Sequence, residues 1–167
     1  IDLENGCRNG TPEMNSQVIG TVPEASYQGM CFTLGVPFNL NHIDDKTAQP
    51  PLNASSMLWS WTTGRKFLRL DGTGDPALVA GEGANNAFHM HLGSTGCTAS
   101  NGAGTAPASE CATPNRVRIC FDTFNVDTQQ VQLDIGRLLA GSNVTSSTPQ
   151  TAPGCMSSNS DPECTAI

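Results

Sequence analysis

The sequence predicts an all-β protein, a β-sandwich with long disulfide-clipped loops, and three observations favour this fold class. Glycine (17 residues) and proline (11) are abundant and only 14% of the residues are charged, as is typical of a loop-rich β-protein. Short alternating runs recur, whereas no stretch carries a long helical repeat of apolar residues. Seven cysteines are present without the Cys-x-x-Cys spacing of a zinc ribbon. We expect one domain over residues 1–167, a length within the usual range for a single domain.

The predicted strands are short apolar or alternating runs bounded by glycine, proline and asparagine. In chain order they cover residues 16–21, 30–39, 67–71, 88–92, 116–124 and 131–135. The second run places His42 just beyond a strand end, where a loop begins. In the fifth, alternation predicts that Val117, Ile119 and Phe121 face inward.

Two polar stretches predict surface loops. Residues 43–55 contain two adjacent aspartates and two adjacent prolines, which indicates a loop rather than a regular element. Residues 98–114 contain small and polar side chains with almost nothing to bury. Cys97 and Cys111 bracket this second stretch and would close it.

Residues 57–70 have the densest apolar pattern and contain both tryptophans. If the chain is extended here, Trp59 and Trp61 share one face, and core packing is the simple explanation for the pair. The turn that follows contains Asp71 and Asp75. We interpret both as turn formers, with a calcium site in an oxygen-lined loop as the alternative.

Two of the three histidines lie in the predicted strand 88–92. Because side chains alternate along a strand, His89 and His91 project to one side, and Phe88, Met90 and Leu92 to the other. Residues two apart on a strand are about 7 Å apart, which two imidazole rings can close by leaning onto one metal ion. A histidine pair that binds nothing is an equally common alternative. The remaining histidine, His42, is the further imidazole available to such a site.

Charge and cysteine content restrict the class of protein. A net charge of −7 and a pI near 4.7 argue against nucleic-acid binding, which requires a basic surface. Cysteines in this number favour disulfides, and therefore a periplasmic, cell-surface or secreted protein. We expect no signal peptide or membrane span, so that Ile1 lies at or beyond a processed N-terminus.

The remaining cysteines suggest two further bridges. Cys155 and Cys164 would close a loop near residue 160, and Cys31 with Cys120 is a candidate pair because both lie in apolar strands. Cys7 would then be left over. Because six cysteines already allow fifteen pairings, the connectivity stays open at this point.

Three groups of residues resemble one known family. They are Leu-Trp-Ser-Trp at 58–61 with Lys-Phe-Leu-Arg-Leu-Asp at 66–71, His-Leu-Gly-Ser-Thr-Gly-Cys at 91–97, and Gly-Cys-Met-Ser at 154–157 with Asp-Pro-Glu-Cys at 161–164. Together they resemble the MbnP-type metallo-mystery pair family with a four-cysteine motif, which includes the copper-binding surface proteins MopE and CorA of methane-oxidising bacteria. The resemblance covers roughly residues 30–167. The four-cysteine pattern is matched by Cys97, Cys111, Cys155 and Cys164.

This resemblance implies a periplasmic or cell-surface β-sandwich that binds copper through histidines. His42 and His91 occupy the matching positions, and His89 is a further candidate from the strand argument. The family also implies a partner similar to the di-haem peroxidase MauG, which in some members oxidises a tryptophan to kynurenine. The tryptophans here are Trp59 and Trp61, neither of which lies within a dozen residues of His42.

The sequence therefore predicts an extracytoplasmic copper-binding protein, without enzymatic activity of its own, that captures or stores copper. Thiols locked in disulfides cannot act as thiolates, and the remaining imidazoles suit copper, although zinc and nickel also accept nitrogen ligands. Met90 is a candidate axial contact only if its strand bulges. Two other classes stay open: a disulfide-stabilised surface-interaction module with incidental histidines, and a copper redox enzyme.

Overall fold

The computed structural model describes residues 1–4, 6, 10–73 and 87–167. Regular structure within these ranges is mostly strand. The strands are β1 (Met30–Leu34), β2 (Leu58–Ser60), β3 (Gly64–Thr73), β4 (Ala87–Gly93), β5 (Val117–Phe121) and β6 (Gly154–Cys155). The helical segments are single turns, α1 (Phe38–Asn41), α2 (Ile135–Leu138) and the 3-10 turns Ser55–Met57 and Pro162–Cys164.

The strands form two sheets. In the smaller sheet β1 and β5 pair antiparallel, with Cys31 directly opposite Cys120. In the larger sheet the order is β2-β3-β4-β6, and β6 joins β4 in parallel while the other pairs are antiparallel. The long β3–β4 pair places Asp71 opposite His89, and this register positions the candidate site.

The predicted all-β class with disulfide-closed loops is confirmed. Strands β1, β3, β4 and β5 fall within or around the predicted runs 30–39, 67–71, 88–92 and 116–124. Three disulfides join cysteines of the described residues, each between predicted partners: Cys31–Cys120, Cys97–Cys111 and Cys155–Cys164. Cys7 lies outside the described residues.

Two predicted strands are wrong. Residues 16–21 form no strand and are exposed, with Val18 and Ile19 each 88% exposed, because no neighbouring described strand hydrogen bonds to them. Residues 131–135 are also exposed, and the chain turns into α2, where the Asp134 side chain accepts a hydrogen bond from the Arg137 backbone N–H. Alternation alone did not reveal that both runs lack a strand partner.

The predicted strand 30–39 is shorter than expected. It ends at Leu34, since Gly35 adopts a φ of +147° and Pro37 is the N-cap residue before α1. His42 therefore follows a helical turn, at its C-terminal end, and not a strand.

Two predicted orientations also differ. Val117 is exposed, while Ile119 and Phe121 are half-buried. Trp61 lies in the turn after β2 and is 46% exposed, so core packing does not explain it, whereas Trp59 is half-buried in β2.

Burial is concentrated around β4 and the segment that contains His42. The buried apolar side chains of the described residues include Phe88, Met90, Cys111 and Cys155. Buried polar side chains are at least as prominent there: Asn41, His42, Arg65, His91, Ser94, Ser157 and Asp161. Among the helices of the described ranges, none is long and apolar enough to cross a membrane.

Candidate metal centre

His91 is buried near the middle of β4 and uses only one of its ring nitrogens in a hydrogen bond. Its Nε2 lies 2.6 Å from Asp71 Oδ1, and its Nδ1 is buried without a hydrogen-bond partner among the described residues. A neutral ring that donates its Nε2 proton to a carboxylate leaves a lone pair on Nδ1. An unpaired lone pair in a buried position is costly, so this atom is the first candidate for a metal ligand.

His42 has the same arrangement with the two nitrogens exchanged. Its Nδ1 lies 2.9 Å from the carbonyl oxygen of Trp61, which can only accept, so Nδ1 carries the proton. The Nε2 lone pair has only long contacts, 3.4 Å to Asn41 Nδ2 and 3.7 Å to Cys111 Sγ. Because Cys111 is in a disulfide, its sulfur has no proton to donate.

The segment that carries His42 is held in place by the buried Arg65. The Arg65 backbone N–H donates to Asn41 Oδ1 at 2.7 Å, and the guanidinium donates to backbone carbonyls. The accepting residues are Leu40, Asn41, Ile43 and Leu52. A buried guanidinium satisfied in this way fixes the loop geometrically.

Both imidazoles contact one short stretch of chain. The Trp59 and His91 ring centroids are 6.4 Å apart, and His42 hydrogen bonds to the backbone of Trp61, two residues further on. Close approach here depends on Gly93, where a Cβ would lie 2.5 Å from the Trp59 ring. The structure therefore places His42 and His91 at the two ends of the same three-residue segment.

His89 lies on the same face of β4 as His91, as predicted. The two ring centroids are 5.3 Å apart, and His89 Nδ1 is 2.7 Å from Asp71 Oδ1. The other Asp71 oxygen, Oδ2, accepts from Arg69 Nε at 2.5 Å. Ligand atoms of Asp71, His89 and His91 all lie within 4.8 Å of one another.

A second group of possible ligand atoms consists of His42, Cys97 and Cys111, also within 4.8 Å of one another. Since the two sulfurs are bonded to each other, they offer no thiolate in this oxidised state. His42 thus belongs to a different group from the two strand histidines. The structure brings His89 and His91 onto one carboxylate, and it holds His42 at the backbone carbonyl of Trp61.

Burial and hydrogen bonding set the charge states of these groups. Burial lowers the pKa of His42, against the opposing hydrogen bond to the Trp61 carbonyl. Burial is also the main cause that lowers the pKa of His91, against the opposing hydrogen bond and charge of Asp71. Burial also opposes ionisation of Asp71, but hydrogen bonds from His91, His89 and Arg69 outweigh it and hold its pKa well below the usual range. Neutral imidazoles beside an ionised carboxylate are the charge states that metal binding requires.

Asp71 is the site residue whose role sequence reasoning missed. It is not a turn former, because it lies within β3 and its carboxylate is already bound by Arg69 and the two strand histidines. Asp75, the other residue of the predicted calcium loop, lies outside the described residues. Alternation along the strand was the available signal, because it places Asp71 and Arg69 on one face. The pairing of Asp71 with His89 on β4 could not be deduced from spacing in the sequence.

Met90 does not contribute to this cluster. It is buried on the opposite face of β4, directly opposite Leu70 in a regular part of the ladder. The irregularity in the β3–β4 pair lies between Lys66 and Leu68, away from Met90. The condition for an axial contact, a bulge at Met90, is not met.

The chain is similar to known proteins both in sequence and in structure. A family model described as MbnP matches residues 1–157. Among solved structures, MbnP from Methylosinus trichosporium is similar, with a TM-score of 0.75 and 35% sequence identity. The match covers 86% of this chain and 52% of that chain, so this chain spans about half the length of the solved relative. No curated protein sequence matches the chain.

Proposed function

The chain belongs to the MbnP family, and from this premise we propose that it is an extracytoplasmic copper-binding protein that captures or stores copper and has no enzymatic activity of its own. The proposed ligand atoms are His42 Nε2 and His91 Nδ1. These two buried ligands define the inner site, and His89 is left out of it because its side chain is 28% exposed.

One observation carries the proposal. In both buried histidines, one nitrogen is held by a fixed oxygen acceptor while the other has no strong partner, namely His91 Nδ1 and His42 Nε2. Metal-binding histidines almost always donate their other ring N–H to a carboxylate or a backbone carbonyl, which fixes the tautomer and the ring orientation. Asp71 provides the carboxylate for His91, and the Trp61 carbonyl plays the same part for His42.

The chemistry of the ligands favours copper over other first-row ions. Imidazole suits copper, zinc and nickel, and among divalent ions a nitrogen site binds copper most tightly. The nearby sulfurs of Cys97 and Cys111 are in a disulfide and supply no thiolate. An imidazole site of this kind therefore supports copper as the bound ion.

Trp59 is the proposed site of any tryptophan oxidation. Its ring is next to His91, whereas Trp61 contributes its backbone carbonyl to His42. A partner similar to the di-haem peroxidase MauG would carry out the oxidation to kynurenine. Peptide mass spectrometry of protein from its native host would test this, since unmodified Trp59 in copper-loaded protein would contradict it.

The compartment is part of the same proposal. Three disulfides support a periplasmic, cell-surface or secreted protein, because they persist in oxidising environments. Fractionation of the native host with thiol alkylation before lysis would test this. Recovery of the reduced protein from the cytoplasm would contradict it.

The decisive experiment is an anomalous-scattering map at the copper absorption edge, from crystals of the copper-loaded protein. A peak within bonding distance of His42 Nε2 and His91 Nδ1 is expected. A folded protein that takes up only substoichiometric copper would favour the alternative, a surface-interaction module. The exposed apolar side chains of Val18 and Ile19 are the observation that favours this alternative. Copper-dependent turnover with reductant and oxygen would favour a redox enzyme.

A further inference from the structure

A second set of ligand atoms lies on the outer side of His91. Asp71 Oδ1 is 2.7 Å from His89 Nδ1 and 2.6 Å from His91 Nε2. Strand register explains this arrangement, since Asp71 is directly opposite His89 and His91 follows two residues later on the same face. Three ligand atoms from two paired strands are therefore assembled before any ion arrives.

We propose that Asp71, His89 and His91 form an outer binding site for a divalent transition-metal ion, for which Zn²⁺ is the probe. Two imidazole nitrogens with one carboxylate oxygen are a recurrent protein ligand set for such ions, zinc included. The outer site uses His91 Nε2, whereas the inner copper site uses His91 Nδ1. Only this sharing of His91 rests on the proposed function; the outer site itself does not.

The outer site is open to solvent. The side chains of His89 and Asp71 are 28% and 29% exposed, whereas that of His91 is 8% exposed. Ligand atoms around a tetrahedral zinc ion are about 3.3 Å apart. Each imidazole nitrogen therefore needs to move less than about 1 Å from its hydrogen-bonded position at Asp71 Oδ1, which for His89 a rotation of its partly exposed ring can supply.

Arg69 determines how the carboxylate binds. Its Nε–H donates a hydrogen bond to Asp71 Oδ2, so that only Oδ1 faces the two imidazoles. The outer ion is therefore bound by one carboxylate oxygen. A guanidinium at this distance also repels a cation, which keeps the affinity of the outer site moderate.

The two sites compete because a neutral His91 carries a single ring proton. An ion at Nδ1 leaves that proton on Nε2, where it is donated to Asp71, and an ion at Nε2 requires the proton on Nδ1. One neutral imidazole thus serves one ion at a time. Zinc bound at the outer site consequently weakens copper binding at the inner site.

The first test isolates the outer site with Zn²⁺ titrations of the full chain. The H42A variant, which lacks one inner ligand, is expected to bind one equivalent of zinc. Adding H89N is expected to weaken this binding about tenfold or more, whereas adding the exposed control substitution D122N leaves it unchanged. Absence of zinc binding in H42A, or equal affinity in H42A and H42A/H89N, overturns the outer site. Circular dichroism and intact disulfides verify that each variant is folded.

The second test measures Cu(I) affinity with and without Zn²⁺, in the wild type and in H89N. Zinc is expected to weaken copper binding in the wild type and to have a smaller effect in H89N. An equal effect of zinc in both proteins overturns the shared use of His91. If the wild type binds no copper while H42A still binds zinc through His89, the proposed function fails and the outer site stands.

Discussion

At the scale of single residues, His91 makes the contacts that join Asp71 and Trp59 in the candidate centre. Its Nε2 contacts Asp71, its ring lies beside Trp59, and its Nδ1 is buried without a described partner. A buried polar atom without a hydrogen bond is uncommon in folded proteins and calls for a ligand. The predictions at this scale concern the three histidines and the carboxylate that orients one of them.

Replacement of the histidines by alanine separates the inner ligands from His89. H42A and H91A are each expected to weaken copper binding far more than H89A, because each removes a lone pair that faces the ion. Competition titrations against a Cu(I) chelator provide the measurement. Equal losses in all three variants would indicate a three-histidine site instead.

Copper affinity is expected to depend on pH in a defined direction. Burial lowers the pKa of both His42 and His91 from the ordinary value of 6.5, so both rings are neutral at pH 7. Protons compete with copper only below these lowered values, so affinity is level in alkaline solution and declines only once the pH has fallen below the ordinary histidine value. Affinity that stays constant between about pH 8 and pH 5 would contradict histidine ligation.

The D71N substitution tests the orienting role of the carboxylate. An amide oxygen is a weaker acceptor than a carboxylate, so His91 loses its fixed tautomer and copper binding weakens about 10- to 100-fold. Copper affinity is measured beside D122N, which removes an exposed carboxylate elsewhere. Equal affinities in D71N and D122N would show that Asp71 has no part in the centre.

At the scale of elements, the pairing of β4 with β6 supports the histidine strand. Gly154 lies opposite His89 in this parallel pair and has a φ of +80°. A Cβ there would lie 2.2 Å from the carbonyl oxygen of His89, so only glycine permits the approach. Ser157 adds a hydrogen bond from its Oγ to the His91 carbonyl at 2.6 Å.

The G154A substitution is expected to destabilise the fold more than a glycine replacement in open space. G102A provides the matched control, because Gly102 has a similar φ of +84° but a Cβ there would have no other atom within 4 Å. G102A should cost about 1–2 kcal/mol through backbone strain alone. G154A adds a clash with backbone and should cost clearly more in denaturant unfolding. Equal costs would mean that β6 does not pack closely against β4.

At the scale of the whole molecule, disulfides compensate for a small apolar interior. The buried side chains of the described residues are largely polar. Many of the described residues also lie outside regular helices and strands. Cys31–Cys120 joins positions 89 residues apart and links β1 to β5, whereas Cys155–Cys164 spans 9 residues. The longer loop restricts the unfolded chain more strongly.

Removal of the Cys31–Cys120 bridge by a double alanine substitution is expected to cost about 4.6 kcal/mol of unfolding free energy in the chain-entropy model. The control is the double variant T33A/R118A, a directly opposed pair in the same two strands, which should cost about 1 kcal/mol or less. Equilibrium unfolding in urea measures both. Similar costs would show that the bridge does not constrain the unfolded chain.

Local features of the sequence predicted the fold class, the β3 and β4 strands, all three described disulfides and the shared face of His89 and His91. The strands and the shared histidine face follow from alternation along the chain. The disulfide partners either bracket a short loop or lie in two apolar strands. The incorrect strands at 16–21 and 131–135 have the same local pattern but lack a described neighbour. A strand requires a partner, and alternation cannot supply one.

The sequence by itself determined the imidazoles that could bind a metal, those of the three histidines, and it indicated that most thiols are withdrawn into disulfides. Only the tertiary structure decided that Asp71 orients His91, that Trp59 lies beside it, and that His42 meets the Trp61 carbonyl. The physical reason is that these contacts join residues between 19 and 32 positions apart through strand register and loop packing. Such contacts depend on long-range packing, on which local periodicity carries no information.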